Sequence, residues 1–339
     1  MNAAYYEGPK IMRVGACEYV PPGPGEVRLQ VAYCGICGTD VHIFHGLMDR
    51  RVHAPQVIGH EASCEVAELG AGVEGVAVGD RVVVRPLQPG QPAPVDHGFT
   101  HIAENLKFIG IDTPGALQSF WTVPAHTLHR LPDAVSLEHG ALVEPLAVAC
   151  HDVRLSGLKP GEHVVVIGGG PIGLLIAMVA RQKGGHVLVS EVNPQRLALA
   201  REFNLATVNP QEEDLLEAVG RFTDAAYADI VFEVSGTEAG VAAMTQLPRI
   251  RGRIVMVAIH SQPRPVDLFR FFWRELQLSG ARTYEPEDFE EAIRLAAGGS
   301  LPLDRLITQI SPLEEIQSVF ESIDRSPTGM KHLVQCTRR

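Results

Sequence analysis

The hydrophobic positions divide the chain into two kinds of sequence. Residues 26–32 alternate apolar and polar side chains with period two, and the short segments 64–69 and 81–84 are also typical of strands. From about residue 146 to 280, apolar runs of strand length alternate with longer stretches that are typical of helices. The first pattern predicts a small β-rich unit, and the second predicts a doubly wound parallel sheet.

The order of these patterns predicts three segments, which are residues 1–145, 146–280 and 281–339. The last segment is mixed, because residues 286–297 and 313–323 have the pattern of amphipathic helices. We expect this tail to return to the first domain, so that the middle segment is an insertion in the sequence of the first domain.

The buried strand predicted for residues 164–167 ends at a cluster of glycines. The glycines have the spacing G-x-G-x-x-G, and an apolar stretch of helical length follows them. A strand, a tight turn and a helix N-terminus in this order present backbone N–H groups to a pyrophosphate. The residues that we predict to bind a dinucleotide here are Gly168, Gly170, Pro171, Ile172 and Gly173.

A second predicted strand, residues 186–190, ends at Glu191, about 21 residues after Gly170. An acidic side chain at this distance bonds the ribose hydroxyls of a bound dinucleotide. Because a carboxylate repels a 2′-phosphate, the sequence predicts NAD rather than NADP, and Arg196 one helical turn later softens that preference. The plainer alternative is a glycine-rich turn in an ordinary βαβ unit, with Glu191 as a surface charge.

Four residues of the first domain offer the donor types of a catalytic zinc site, namely Cys37, His60, Glu61 and Glu144. Their spacing alone does not show that they meet in the fold. Considered one at a time, each residue also has a plainer interpretation. Cys37 fits a buried apolar side chain, His60 fits a hydrogen-bonded core histidine, and the two glutamates fit surface charges. Cys34 and Cys37 also form C-x-x-C, a redox motif, although not after a strand of a βαβ unit.

Composition narrows the range of partners and compartments. The hydrophobic content of 45% is ample for buried cores, and the net charge of −11 argues against nucleic-acid or anionic-membrane partners. No apolar run has the length of a membrane span, and residues 1–13 lack the apolar core of a signal peptide. Six cysteines at irregular spacing do not indicate a disulfide scaffold, so we expect a cytoplasmic protein.

Four motifs occur in a characteristic order, namely GICGTDVH (35–42), GHE (59–61), EPLAV (144–148) and VVVIGGGPIG (164–173). In this order they resemble the zinc-dependent medium-chain alcohol and polyol dehydrogenases, of the sorbitol or threonine dehydrogenase type. The likeness covers nearly the whole chain. It implies an α/β protein with a GroES-like, distorted β-barrel catalytic domain and an inserted Rossmann domain.

The resemblance also implies roles for the metal candidates. Cys37 and His60 match the zinc ligands of the family, and Glu144 matches a position that is glutamate in polyol and threonine dehydrogenases. Glu61 matches a residue that binds the metal in some members only, so the two glutamates are alternative third ligands. The implied reaction is hydride transfer from a zinc-bound alkoxide to NAD.

Further residues are assigned by the same resemblance. Thr39 is expected to take the proton of the alcohol and to pass it through the cofactor ribose toward His42. The residues near positions that line the substrate pocket in the family are Phe44, Phe120 and Arg282. The family also implies a homodimer or homotetramer, with a predicted strand at 276–280 as the edge between Rossmann sheets.

One region departs from the family pattern. Many members bind a structural zinc with four cysteines in a lobe that corresponds to residues 85–122, and this segment contains no cysteine. We therefore predict one catalytic zinc per subunit and no structural zinc. The lobe does contain Asp96, His97, His101 and Glu104, for which a polar loop is a better interpretation than a substitute metal site.

The substrate is predicted only as a class, a polyol, a sugar or a related hydroxy compound. Three alternatives stay open at this point. The first is an enzyme like L-threonine 3-dehydrogenase, and the second is a zinc-free, NADPH-dependent reductase of the same superfamily, against which Cys37, His60, Glu144 and Glu191 argue. The third is a non-catalytic NAD-binding relative that serves as a sensor or structural protein.

Overall fold

The computed structural model describes residues 1–260, 262–326 and 328–337. The chain divides into two compact units. The outer unit consists of Met1–Glu144 and Glu285–Arg339, and the inserted unit of Pro145–Tyr284. The boundaries fall close to the ends of the predicted segments.

The first part of the chain is rich in short strands. The strands up to residue 130 are β1 (Asn2–Gly8), β2 (Ile11–Ala16), β3 (Glu26–Gly35), β4 (Gln56–Val57), β5 (Glu61–Leu69), β6 (Arg81–Val84), β7 (Leu87–Gln88), β8 (Lys107–Phe108), β9 (Phe120–Pro124) and β10 (Leu128–Arg130). The helices that begin in this part are α1 (Gly38–Phe44), α2 (Leu137–Gly140) and α3 (Val143–Leu155).

The rest of the chain alternates strands and helices and then returns to mixed structure. The inserted unit contains β11 (His163–Ile167), α4 (Pro171–Gln182), β12 (His186–Ser190), α5 (Pro194–Glu202), β13 (Ala206–Val208), α6 (Leu215–Phe222), β14 (Ala228–Glu233), α7 (Glu238–Met244), β15 (Pro248–Met256), α8 (Leu268–Arg274) and β16 (Gln277–Gly280). The tail contains α9 (Pro286–Ala297), β17 (Ile307–Pro312), α10 (Ile316–Arg325) and β18 (Lys331–Gln335).

The largest sheet of the outer unit joins the two ends of the chain. Its strand order is β10-β6-β5-β3-β18-β17, and β9 also pairs with β3. β3 runs antiparallel to β5, with Gly35 opposite Glu61, and antiparallel to β18, with Gly35 opposite Leu333. This register brings the segments that follow β3 and precede β5 to one end of the sheet, and the start of β18 to the same end.

The inserted unit is built on six parallel strands in the order β13-β12-β11-β14-β15-β16. Consecutive residues of β11 are fully buried, which shows that both faces of the sheet are covered. The predicted fold class, a GroES-like domain with a doubly wound parallel sheet, is confirmed. Because every strand is parallel, the carboxyl ends of the strands share one edge, where α/β proteins bind their ligands.

Residues 85–119 form a lobe that is held by aspartate side chains rather than by long strands. Asp96 accepts hydrogen bonds from the backbone N–H groups of Ala93 and Glu104, at 3.0 and 3.2 Å. Asp112 forms an ion pair with Arg51 and also accepts from a backbone N–H group of the lobe. The carboxylate of Asp96 is therefore part of a turn, as in the polar-loop interpretation.

Several element boundaries differ from the sequence patterns. The strands β1 and β2 form a hairpin that the periodicity does not reveal, because the burial along it alternates irregularly. The helix expected at 313–323 starts at Ile316, after a 3₁₀ turn that follows Pro312. No helix among the described residues has the length and apolarity to cross a membrane. The cytoplasmic location stays a prediction from the sequence.

Candidate active site

Three candidate metal ligands meet at the end of the largest sheet. Cys37 follows β3, His60 precedes β5 and Glu61 begins β5. One sulfur, one imidazole nitrogen and one carboxylate oxygen from these residues all lie within 4.8 Å of one another. The strand register produces this proximity, and Gly35 permits it, because a Cβ atom at Gly35 would overlap the Glu61 carboxylate.

Asp40 places its carboxylate beside the imidazole of His60. Its side chain is fully buried, and its Oδ1 lies 3.7 Å from His60 Nδ1, while its Oδ2 accepts a hydrogen bond from the Cys37 backbone at 2.9 Å. At 3.7 Å the contact between Oδ1 and Nδ1 is an ion-pair contact and not a hydrogen bond, so Asp40 supplies a negative charge beside the imidazole. Burial lowers the pKa of His60, but the negative groups Asp40, Cys37 and Glu144 outweigh it and raise this pKa to about 10.

A buried lysine neutralises one of the glutamates. The Lys331 ammonium group contacts both carboxylate oxygens of Glu61 and donates to the carbonyl oxygen of Ile36 at 3.3 Å. Burial lowers the pKa of Lys331, yet the negative charges of Glu61, Cys37 and Glu144 raise it above its ordinary value. Glu61 is therefore a shared group, since its oxygens face an ammonium group as well as the metal candidates.

Glu144 belongs to the same electrostatic environment. It is buried in the first turn of α3, and its charge raises the pKa values of both His60 and Lys331. Four acidic groups, Cys37, Asp40, Glu61 and Glu144, thus surround one ammonium group and one imidazole. The sulfur, nitrogen and oxygen donors, with this excess of acidic groups around them, fit a zinc ion.

The proposed relay residues lie on α1, directly after Cys37. Thr39 is half-buried and His42 is exposed, and a spacing of three residues places them one above the other on the helix. The helix starts at Cys37, where the Asp40 side chain accepts from the Cys37 backbone and caps its first turn. This arrangement leads from the buried metal candidates toward solvent.

The structure packs Phe44 and Phe120 against neighbouring side chains and leaves Arg282 exposed. Phe44 is 1% exposed and stacks on Phe320 at 4.9 Å, so its ring offers no surface to a substrate. Phe120 lies under the Arg28 guanidinium at 4.1 Å and pairs with Gln30, five residues along β3 from Gly35, about 17 Å away. Arg282 is exposed after β16. For Phe44 and Phe120, packing is the role that the structure supports.

The predicted dinucleotide motif folds as a turn between β11 and α4. Gly168 has a φ of 104°, and Gly170 precedes the helix, whose first residue is Pro171. A Cβ atom at Gly173 would overlap the carbonyl oxygen of Gly168, so glycine allows the helix to start against the strand. Ile172 follows Pro171 in the first helical turn. The backbone N–H groups at this helix start are the donors that a pyrophosphate needs.

Glu191 lies at this turn. Its Oε2 accepts a hydrogen bond from the backbone N–H group of Gly169 at 2.8 Å, and its Oε1 accepts from the N–H groups of Val192 and Asn193. The side chain is 7% exposed, and Arg196 lies 3.8 Å from Oε2. Glu191 is therefore not the surface charge of the plainer alternative, because its carboxylate is fixed beside the glycine turn.

Sequence reasoning missed three residues beside the metal candidates. Asp40 stands within the motif GICGTDVH, so its position was a signal, whereas Lys331 begins a strand far along the chain. Phe108 packs edge-on against His60, with ring centroids 5.1 Å apart. Lys331 and Phe108 reach the site only through tertiary packing, and no local pattern identifies them.

Comparisons with known proteins agree with this geometry. Residues 23–133 match the model of the alcohol dehydrogenase GroES-like domain, and residues 171–298 match that of the zinc-binding dehydrogenases. The 2-dehydro-3-deoxy-L-galactonate 5-dehydrogenase of Pseudoalteromonas atlantica (strain T6c / ATCC BAA-1087) is 56% identical over 337 residues, 99% of each chain. The chain belongs to the zinc-dependent medium-chain dehydrogenases.

Two solved structures extend the match over the whole fold. The 2R,3R-butanediol dehydrogenase of Bacillus subtilis superposes with a TM-score of 0.91 at 32% identity, over 98% of this chain and 99% of that one. A protein of Sinorhizobium meliloti 1021 solved with bound NADP gives a TM-score of 0.92 at 31% identity, over 98% of each chain. This medium-chain dehydrogenase is thus an oxidoreductase that uses zinc, a nicotinamide cofactor and a small-molecule alcohol.

Proposed function

We propose that this dehydrogenase oxidises the C5 hydroxyl group of 2-dehydro-3-deoxy-L-galactonate or a closely related keto-deoxy sugar acid, with NAD as the acceptor. The single observation that carries the substrate is the 56% identity, over 99% of both chains, to the Pseudoalteromonas enzyme of that name. In this reaction the C5 hydride reduces the nicotinamide ring and the hydroxyl proton is released, so that a ketone forms at C5.

Cys37, His60 and Glu144 would hold one zinc ion, and Glu61 would remain with Lys331. The contact of both Glu61 oxygens with the Lys331 ammonium group supports this division between the two glutamates. When bound, the metal makes the substrate hydroxyl group more acidic. The segment 85–122 lacks cysteine, which supports one zinc per subunit without a structural zinc.

Side chains of this protein would supply the proton path and the environment of the metal ligand His60. The Asp40 carboxylate lies 3.7 Å from His60 Nδ1 and would add negative charge beside the metal ligand. Thr39, half-buried after Cys37, would accept the hydroxyl proton from the substrate, and His42, one turn further and exposed, would hold it at the solvent side.

NAD is the proposed cofactor because Glu191 lies at the glycine turn. Its Oε2 is already fixed by Gly169, in a position to accept from a ribose hydroxyl and to repel a 2′-phosphate. Arg196 is 3.8 Å from the same oxygen, which makes it a partner of Glu191 rather than a phosphate ligand. Because one structural relative was solved with NADP, the ratio of kcat/KM with NAD to kcat/KM with NADP must be measured.

A homodimer through the inserted unit is the proposed assembly. Among the described strands, β16 pairs with β15 alone and leaves one edge open. The neighbouring helix α8 exposes 64–78% of Phe269, Phe272, Trp273 and Leu268. An open strand edge beside a large apolar patch is typical of a surface that a second copy covers.

The test is a zinc determination with steady-state kinetics on the purified chain. We expect about one zinc per subunit, activity that a chelator removes and zinc restores, and a preference for NAD over NADP. The keto-deoxy sugar acid should have a kcat/KM at least about 100-fold above sorbitol, xylitol, 2,3-butanediol and L-threonine. A higher kcat/KM for a polyol or for L-threonine overturns the substrate proposal. Full activity without zinc overturns the proposal that a zinc ion takes part in the reaction. Sedimentation of the same sample measures the assembly.

A further inference from the structure

The cysteine-free lobe packs directly on the segment that carries His60. The backbone N–H group of Ala116 donates to the carbonyl oxygen of Gly59 at 2.9 Å. A Cβ atom at Gly110 or at Gly115 would overlap that same carbonyl oxygen, so two glycines permit this close approach. The position of the His60 backbone therefore depends on the lobe.

The lobe also reaches the imidazole ring. The ring of Phe108 meets His60 edge-on, with centroids 5.1 Å apart and an angle of 84° between the planes. Both side chains are at least nine-tenths buried. Asp40 Oδ1 lies 3.7 Å from Nδ1 and makes no hydrogen bond to it, whereas Phe108 packs against the ring itself and so restricts how the ring turns.

A single carboxylate fixes the backbone of Phe108. Asp112 Oδ2 accepts a hydrogen bond from the Phe108 N–H group at 2.7 Å. The same carboxylate accepts two hydrogen bonds from the Arg51 guanidinium, at 2.5 and 2.6 Å. Burial opposes the charge of Asp112, but Arg51 and the Phe108 N–H group keep its pKa below the usual value. A bidentate pair of this kind has a well-defined geometry.

We propose that Asp112 and Arg51 are positioning residues for the metal centre: they hold Phe108 against His60 and thereby fix the orientation in which His60 binds zinc. The ion pair joins the lobe to Arg51, and the hydrogen bond joins Asp112 to the backbone of Phe108. The inference rests on the proposed function, in which His60 is a zinc ligand.

Asp80 provides a matched control within the same unit. Its Oδ1 accepts from Arg130 at 2.6 Å and its Oδ2 accepts from the Ala77 backbone at 2.8 Å, so it makes the same kinds of bond as Asp112. It caps the turn before β6 and has no part in the contact with His60. Asp112→Ala and Asp80→Ala each remove an ion pair with arginine and a backbone hydrogen bond, although Asp112 accepts two bonds from its arginine and Asp80 one. Only the interactions of Asp112 lead to the proposed metal ligand.

The experiment measures the rate of zinc loss to an excess of chelator and the visible absorption of the cobalt-substituted protein. We expect Asp112→Ala to accelerate zinc loss roughly 10-fold, as changes around a ligand commonly do, and to shift the cobalt spectrum. Asp80→Ala should lower the melting temperature comparably but leave both metal readouts unchanged. A cobalt spectrum and a zinc-loss rate of Asp112→Ala equal to those of the wild type, or of Asp80→Ala, overturn the inference.

A double variant tests the route through Phe108. If Asp112 acts through this ring, Asp112→Ala should change zinc loss less than about 2-fold in a Phe108→Leu background. If the two substitutions instead multiply each other's effects on the rate of zinc loss, Asp112 does not act through Phe108. If Asp112→Ala does not fold, Arg51→Met retains the bond from Phe108 to Asp112 and should shift the same readouts by a smaller factor; no shift then overturns the proposal. A wild-type protein without zinc contradicts the proposed function instead.

Discussion

The metal cluster of the outer unit and the glycine turn of the inserted unit are built in opposite ways. The cluster takes Cys37 from the end of β3 and His60 and Glu61 from the start of β5, which the sheet register brings together. The glycine turn takes its donors from the backbone N–H groups of one short segment, in which Pro171 alone has none. A site of the first kind depends on tertiary packing, and a site of the second kind depends on local sterics.

The two sites also differ in how they treat charge. The cluster concentrates buried ionisable groups, with Lys331 as a counter-charge to Glu61 and Asp40 beside His60. At the glycine turn one carboxylate, Glu191, is satisfied by three backbone N–H groups. Because buried charges need compensation, the cluster is suited to a cation, whereas the turn has spare donors for an anion.

The largest effect is expected from a substitution that removes the Cys37 thiolate from the cluster. Cys37→Ala should leave less than about a tenth of the wild-type zinc and lower kcat at least about 1000-fold, since the metal shifts the acidity of its bound oxygen by many pKa units. Cys34→Ala is the matched control, because Cys34 is fully buried in β3 and is not part of the cluster. Elemental analysis and kinetics measure both variants; zinc retained in Cys37→Ala would contradict the ligand assignment.

A smaller effect is expected at the glycine turn. Gly173→Ala places a methyl group against the Gly168 carbonyl oxygen, and we expect a loss of about 2 kcal/mol in unfolding free energy and at least a 10-fold weaker NAD affinity. Zinc content should not change, which separates the two sites. Gly220→Ala in α6 has open space around the new methyl group and should keep or raise stability. Urea unfolding and NAD titration distinguish these outcomes.

The contrast between the two sites explains which features of the protein could be predicted from its sequence. The strand, turn and helix around Gly168 follow from neighbouring residues, and the sequence predicted β6 and β12 with the boundaries that the structure has. The fold class and the family were predictable because several local motifs occur in one order. The parallel sheet followed from the alternation of apolar runs, which is also a local property.

The surroundings of the metal ligands could not be predicted in the same way. Lys331 approaches Glu61 because β18 pairs with β3, and a pairing between residues so distant in sequence leaves no periodic pattern. Phe108 and Asp112 depend on a lobe whose short strands contain two residues each. For Phe44, the resemblance suggested a pocket position, but stacking on Phe320 in α10 is a tertiary contact.

The smallest effect concerns a carboxylate of the inserted unit that joins the starts of two neighbouring strands. Asp229 accepts from the His163 backbone at 2.8 Å and from Arg249 at 2.5 Å, at the start of β11 and β14. Burial raises the pKa of Asp229, but the Arg249 and backbone hydrogen bonds outweigh it, so the pKa is lowered in the folded state.

Because the folded-state pKa of Asp229 is the lower one, its stabilisation is complete above the unfolded value near 4 and is lost as the pH falls through the folded value. We expect Asp229→Asn to remove under about 1 kcal/mol at pH 7 and to flatten the decline of the urea midpoint below about pH 5. Asp133→Asn, at a fully exposed position, should leave that decline unchanged. Equal slopes in wild type and Asp229→Asn would show that this carboxylate does not couple folding to pH.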